Sequence, residues 1–223
     1  MPVNLTFKAP FGMLICGPSG SGKTSWFAKL MKHKKLLISP EPDWVIVFFE
    51  EYQPIYGELL RNGHVSQLVQ GIPEDYNTIR NMLVELRDKG KQHILACFDD
   101  GRETLGSLEN LYCIGSKHLR TSVITMNQSL FSKSSSLRVI SNNSTYLVLM
   151  ASVRSVRNVS TLASQLGAFG KSFIVQAFER VTKSPYGYII LNMHPKASQI
   201  QRVSSLIFPE ESLCPVVFVE NSF

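Results

Sequence analysis

Short apolar runs separated by segments of helical spacing recur along the 223-residue chain. Runs at 13–16, 45–49, 94–98, 122–126, 146–150 and 188–193 read as strands, with a further short one at 216–219. They are apolar at successive positions rather than alternating, which marks strands covered on both faces. Between them lie amphipathic helices. Residues 24–33 follow a glycine-rich turn; Ile79, Met82, Leu83 and Leu86 repeat at i, i+3, i+4 and i+7; residues 105–119 and 156–166 show the same spacing. Strands alternating with helices predict an α/β fold of three layers, with a mainly parallel central sheet between two layers of helices. No apolar stretch approaches the ~18–20 residues of a membrane span. The N-terminal Met-Pro-Val-Asn-Leu-Thr-Phe-Lys has no hydrophobic signal core, so a soluble intracellular protein, not secreted and not inserted in a membrane, is expected.

Composition narrows this picture. With 44% hydrophobic and 18% charged residues, the chain has the material for a core, unlike a disordered, coiled-coil or collagen-like sequence. Its length points to one domain over 1–223, with a core at about 7–194 and a C-terminal extension over 195–223. Four cysteines form no C-x-x-C pair and the histidines show no ligand spacing, so neither zinc nor a disulfide framework is expected. The net charge of +6 favours an anionic partner. Its distribution is uneven: residues 110–178 hold Lys117, Arg120, Lys133, Arg138, Arg154, Arg157 and Lys171 and no acidic residue.

The most specific motif is Gly17-Pro18-Ser19-Gly20-Ser21-Gly22-Lys23-Thr24, followed by Ser25, a full match to G-x-x-x-x-G-K-[ST] between a strand and a helix. Such glycines let backbone N–H groups turn inward around a phosphate at the positive end of the helix. Lys23 is then expected to reach the terminal phosphates of ATP and the Thr24 hydroxyl to ligate Mg²⁺. Residues 93–100 form a second landmark, an apolar strand ending in Asp99 and Asp100. Asp99 is expected on the metal and Asp100 on the attacking water. Gln128 or Asn127, closing the strand at 122–126, suits an amide that senses the γ-phosphate.

Asp-x-x-Gly and Asn-Lys-x-Asp, which a GTPase would carry, do not occur. The charge on a transferring phosphoryl group is commonly met by an arginine from a neighbouring subunit. Arg120 is the first choice for that role and Arg138 the second. The loop 132–136, flanked by Lys133 and Arg138, suits contact with a DNA backbone. Lys29, Lys32, Lys34 and Lys35 read as the exposed face and C-terminal end of a helix. Two other readings stay open: a nucleotide or small-molecule kinase with Arg154 and Arg157 in a lid, and a nucleotide-switched DNA- or capsid-binding protein without turnover.

Taken in order, these motifs resemble the viral genome-packaging ATPases of the FtsK–HerA superfamily, in the poxvirus-type branch with its virophage, adintovirus and Polinton/Maverick members. Less generic stretches carry the resemblance: Glu51-Tyr52-Gln53-Pro54-Ile55-Tyr56, Asn127-Gln128-Ser129-Leu130-Phe131, residues 138–149, Pro185-Tyr186-Gly187-Tyr188, and Ile207-Phe208-Pro209-Glu210. The resemblance implies a RecA-like P-loop ATPase that uses ATP and Mg²⁺. It further implies assembly as a homo-oligomeric ring, a pentamer or hexamer, which drives double-stranded DNA into a preformed capsid, docked on a capsid or portal-vertex protein. The location implied is the infected cell, in the nucleus or viral factory, or the virion. Family roles pass to Lys23, Thr24, Asp99, Asp100 and Gln128.

Overall fold

The computed structural model describes residues 5–99, 105–115, 118–129, 135–152, 155–166 and 170–220. In chain order its strands are β1 (Phe7–Lys8), β2 (Gly12–Cys16), β3 (Ile38–Ser39), β4 (Trp44–Phe49), β5 (Gln67–Gln70), β6 (Ile94–Asp99), β7 (Thr121–Asn127), β8 (Tyr146–Met150), β9 (Tyr188–Asn192), β10 (Val203–Ser205) and β11 (Val216–Phe218). Among the described residues nine strands form one sheet, ordered β11-β10-β9-β8-β2-β7-β6-β4-β5. From β8 to β5 all pairs are parallel, while β9, β10 and β11 extend the sheet antiparallel. The apolar runs predict the parallel strands other than β5 to within a residue or two. The segment after residue 194 contributes two strands to the same sheet.

Successive side chains of a strand point to opposite faces, and this splits the core in two. Leu14, Cys16, Ile46, Phe48 and Phe98 face one layer, with Ile79, Leu83, Ile140, Leu162 and Phe178 from the helices Tyr76–Asp88, Ser135–Asn143, Val156–Leu166 and Lys171–Val181. Met13, Ile15, Val45, Val47 and Cys97 face the other, against Trp26, Phe27 and Leu30 of helix Lys23–Lys32 and Tyr56 and Leu59 of helix Pro54–Arg61. Three layers and a mainly parallel sheet are therefore observed. Among the described residues no helix is long and apolar enough to cross a membrane.

One predicted helix is shorter than its periodicity. The stripe at 105–119 gives a helix over Leu105–Asn110, then a wide π turn over Leu111–Gly115. The turn lets Tyr112 reach under the sheet, where its hydroxyl donates to the Met13 carbonyl at 2.6 Å and bonds the Thr125 hydroxyl at 3.1 Å. Gly12 makes room, since a Cβ there would stand 2.8 Å from the Tyr112 ring. Periodicity also misses β5, a short edge strand whose ends are glutamines, and the helices at 54–61, 135–143 and 171–181.

The lysines after the phosphate loop are mostly engaged. Lys29 pairs with Glu211 at 2.8 Å and Lys32 with Glu58 at 3.2 Å, and the Lys34 amine donates to the His64 carbonyl at 3.0 Å. Glu211 also accepts from the Tyr188 hydroxyl at 2.6 Å. The C-terminal segment is thus tied to the helix that carries the phosphate loop. Lys29 and Lys32 act as ion-pair partners within the fold, where the sequence pattern suggests an exposed helix face.

His93, which precedes β6, is 7% exposed and shares a 2.9 Å hydrogen bond with the Ser122 hydroxyl. Burial holds its imidazole below the ordinary value of 6.5. The unfolded chain therefore takes up a proton before the folded one does, so His93's contribution is complete above pH 6.5 and is lost as pH falls below it. The slope from this one group is at most about 1.4 kcal/mol per pH unit. Urea unfolding at pH 7.5 and 5.5 reads this directly, and His93→Gln is expected to flatten the difference.

Candidate active site

The phosphate loop leaves β2 at its C-terminal end and enters helix Lys23–Lys32. The Gly17 N–H donates to the Asn127 carbonyl at 3.1 Å, anchoring the loop to β7. Gly20 and Gly22 adopt left-handed φ of 75° and 92°, which costs glycine little and other residues more. A Cβ at Gly17 would stand 2.6 Å from both Met150 and the Ser21 hydroxyl. The helix begins without a side-chain cap and has no acidic residue in its first turn, so its positive end is left for an anion. The Ser21 Oγ is buried with no hydrogen-bond partner among the described residues. Lys23 Nζ donates to the carbonyls of Gly17 at 2.8 Å and Pro18 at 3.2 Å. An open helix end, two left-handed loop glycines and a loop lysine together fit a polyphosphate.

Asp99 ends β6 next to the loop and is 7% exposed. Its Oδ2 accepts two hydrogen bonds, one from the Tyr56 hydroxyl and one from Gln53 Nε2 at 3.3 Å. Thr24 lies beside the same hydroxyl. Burial first, and then the Asp99 charge, push the Tyr56 hydroxyl far above its ordinary value, so it remains a donor. The two expected metal-site residues, Thr24 and Asp99, thus meet on one buried tyrosine. Among the described residues no cluster of three or more His, Cys, Asp or Glu side chains could hold a metal. Thr24 and Asp99 are oxygen donors, and oxygen donors suit Mg²⁺, which is usually held by one or two side chains together with substrate phosphates.

Lys23, Thr24, Ser25, Ser19, Gly20, Gly22, Asp99 and Gln128 line a single cavity of about 1060 Å³. The structure therefore brings together the loop, the first acid and the amide predicted from sequence. Of the two amides, Asn127 is occupied in holding Ser129 N–H at 3.3 Å, while Gln128 reaches the cavity. Asp100, Lys117, Lys133, Arg154 and residues 130–134 lie outside the described residues. Arg120 precedes β7, at the end of the sheet remote from the loop, roughly 20 Å or more from Gln128 at ~3.3 Å per strand residue. Arg138 is exposed on helix Ser135–Asn143, which leads from the cavity end of β7 to β8. Arg157 is exposed and absent from the cavity lining.

Other lining residues were not singled out as site residues from sequence: Glu50, Glu51, Gln53, Glu74 and Tyr186, with Tyr56 behind them. A signal for the first two was present. Phe48-Phe49-Glu50-Glu51 has the same form as Cys97-Phe98-Asp99-Asp100, an apolar strand ending in two acids. Phe49 pairs with Asp99 across β4 and β6, so Glu50 and Glu51 emerge beside it. Cys16, just before the loop, is no nucleophile, because burial pushes its thiol up to about 12 against the pull of Lys23.

No family model matches the chain. Over 134 residues it is 30% identical to the DNA packaging protein OPG160 of Variola virus and of Vaccinia virus, covering 54% of this chain and 47% of those proteins. The corresponding Monkeypox virus protein matches over the same length and is covered to 42%. The chain thus spans about half the length of the curated relatives it matches. Among solved structures it superposes on the cytoplasmic domain of the type VII secretion ATPase EccC of Thermomonospora curvata, with a TM-score of 0.55 and 16% identity over 85% of this chain and 25% of that one. ATPases 2 and 3 of EssC from Geobacillus thermodenitrificans give a TM-score of 0.50 and 13% identity over 68% and 34%. These structures share the fold. The chain thus resembles DNA packaging proteins over part of its length and shares the fold of these ATPase domains.

Proposed function

We propose that the chain is the ATP-hydrolysing part of a motor that moves double-stranded viral DNA into a preformed capsid as a homo-oligomeric ring. The observation that carries this is the cavity that joins the phosphate loop, Asp99 and Gln128. The partial match to DNA packaging proteins supports DNA movement as the use of that energy. ATP enters as its Mg²⁺ complex, for the cavity carries Glu50, Glu51, Glu74 and Asp99 against Lys23, and a bare triphosphate would meet net repulsion. Thr24 and Asp99 would hold Mg²⁺, which when bound would supply charge neutralisation on the phosphates. Lys23 withdraws from the loop carbonyls to the terminal phosphate, Gln128 holds the γ-phosphate and the water, and Asp100 accepts the water's proton.

The acid-free stretch 110–178 supplies the contacts to DNA and to the neighbouring subunit, and the motor acts in the infected cell, docked on a capsid or portal-vertex protein. For the trans arginine, the position of Arg138 at the cavity end supports it over Arg120. Arg138→Ala then lowers turnover about a thousandfold. Mixing it with Lys23→Ala subunits restores part of the activity, because a composite site forms from one intact loop and one intact arginine. Mixtures with no recovery would remove Arg138 from this role.

The direct test is ATP hydrolysis by the purified protein with Mg²⁺, with and without duplex DNA and capsids. Turnover that rises with DNA and with protein concentration is the expected result. Phosphate transfer to a small acceptor by monomers would establish the kinase reading instead. Nucleotide-dependent DNA affinity without turnover would establish the switch.

A further inference from the structure

Within the proposed nucleotide site, one large exposed side chain remains without a role. Tyr186 is 70% exposed, yet it lines the same cavity as the phosphate loop. Its ring lies directly over Gly22, where an added Cβ would stand 3.1 Å from the ring carbon Cδ1. The backbone of Tyr186 is left-handed, with φ 56°, a conformation that a bulky side chain adopts only when its surroundings impose it. Those surroundings are specific. The Ser184 N–H donates to the Val181 carbonyl at 3.2 Å, the Gly187 N–H to the Ser184 carbonyl at 3.2 Å, and the Ala151 N–H to the Gly187 carbonyl at 2.6 Å. Gly187 itself lies so close to the end of helix Lys171–Val181 that a Cβ would fall 2.0 Å from the Val181 carbonyl oxygen. A tight turn, pinned on both sides, therefore holds an aromatic ring in solvent at the rim of the phosphate loop.

Among the described residues Tyr186 is the aromatic one in the cavity lining, and Ile72, the other sizeable apolar side chain there, is 6% exposed and offers little surface. The rest of the lining is glycine, hydroxyl, amide and charge. A nucleoside triphosphate has the complementary layout, a charged tail and a flat heterocycle.

We infer that Tyr186 is the stacking platform for the base of the bound nucleotide, with its ring beside Gly22 while the loop holds the phosphates. The inference rests on the nucleotide reading of the cavity. Stacking scales with ring area and reads no hydrogen-bond edge, so purine nucleotides bind better than pyrimidine ones, and the aromatic ring matters more than the hydroxyl.

Titration calorimetry with ATP and, separately, with inorganic tripolyphosphate, both with Mg²⁺, tests it on the full chain. Tyr186→Ala is expected to weaken ATP binding about tenfold, to leave tripolyphosphate binding unchanged, and to be rescued by Tyr186→Phe. Tyr186→Gly, which removes the ring and relieves the left-handed backbone together, should behave as the alanine variant does and guards against a folding defect in it. Equal losses for ATP and tripolyphosphate, or no loss for either, would overturn the assignment. If the wild-type protein binds neither ligand, or Lys23→Ala alters the affinity for neither, the nucleotide site itself is wrong and the platform falls with it.

Discussion

Lys23→Ala is expected to lower ATP turnover by about 10³-fold or more while the thermal midpoint changes by only a few degrees. The asymmetry follows from where the amine sits. Lys23 is half-buried, and its amine bonds the Gly17 and Pro18 carbonyls in the loop that would surround a phosphate. Its removal leaves two backbone carbonyls at the edge of a wet cavity of about 1060 Å³, where water replaces the lost donor at small cost. In the reaction no water can replace it, because the loss falls on charge developing at the terminal phosphate. Hydrolysis assays paired with thermal melts separate the two effects. A variant that melts normally and still turns over ATP would refute the assignment of the cavity.

Asp99 carries the second large effect, and here two substitutions should part company. Asp99→Asn keeps an oxygen that can accept from the Tyr56 hydroxyl and Gln53 Nε2, so the fold is expected to tolerate it. What it loses is the negative charge, so nucleotide affinity should stop responding to Mg²⁺ and turnover should fall at least a hundredfold. Asp99→Ala loses the acceptor as well and strands the Tyr56 hydroxyl, which is fully buried. An unsatisfied buried donor costs about 1–3 kcal/mol. Adding Tyr56→Phe to Asp99→Ala removes the stranded donor and should recover most of that loss. Urea unfolding of the two single variants and the double one, with nucleotide titrations at varied Mg²⁺, measures both halves. If Asp99→Asn retains a normal Mg²⁺ response, Asp99 is no part of the metal site.

Several elements were legible because their signal is local. The strands at 45–49, 94–98 and 146–150 announce themselves as unbroken apolar runs, since a strand covered on both faces needs no polar positions. The phosphate loop is legible for a related reason. Turning N–H groups inward needs glycine at set positions, and the lysine must follow at a fixed distance, so chemistry and spacing occupy eight consecutive residues, Gly17 to Thr24. Helix Val156–Leu166 appears at its expected bounds because its buried stripe is complete within its own length.

Where contacts come from distant parts of the chain, the pattern fades. Helix Pro54–Arg61 is only two turns long and buries Tyr56, whose importance comes from Asp99, 43 residues away. Tyr112 breaks the periodicity of 105–119 because Gly12, on another element, leaves room for its ring. Glu50 and Glu51 had the form of a site signal, but which strand stands beside β6 is a matter of sheet order.

Local pattern was thus enough to establish a three-layer α/β protein with a phosphate loop, an acidic strand end and a candidate sensing amide. It left open which other side chains share their cavity. Phosphate chemistry is written in short-range backbone geometry and can be read in order along the chain. The clamp of Tyr56 and Gln53 on Asp99, the acids beside it and the ring of Tyr186 over Gly22 join residues far apart in sequence, and packing of the sheet and helices is what brings them within reach.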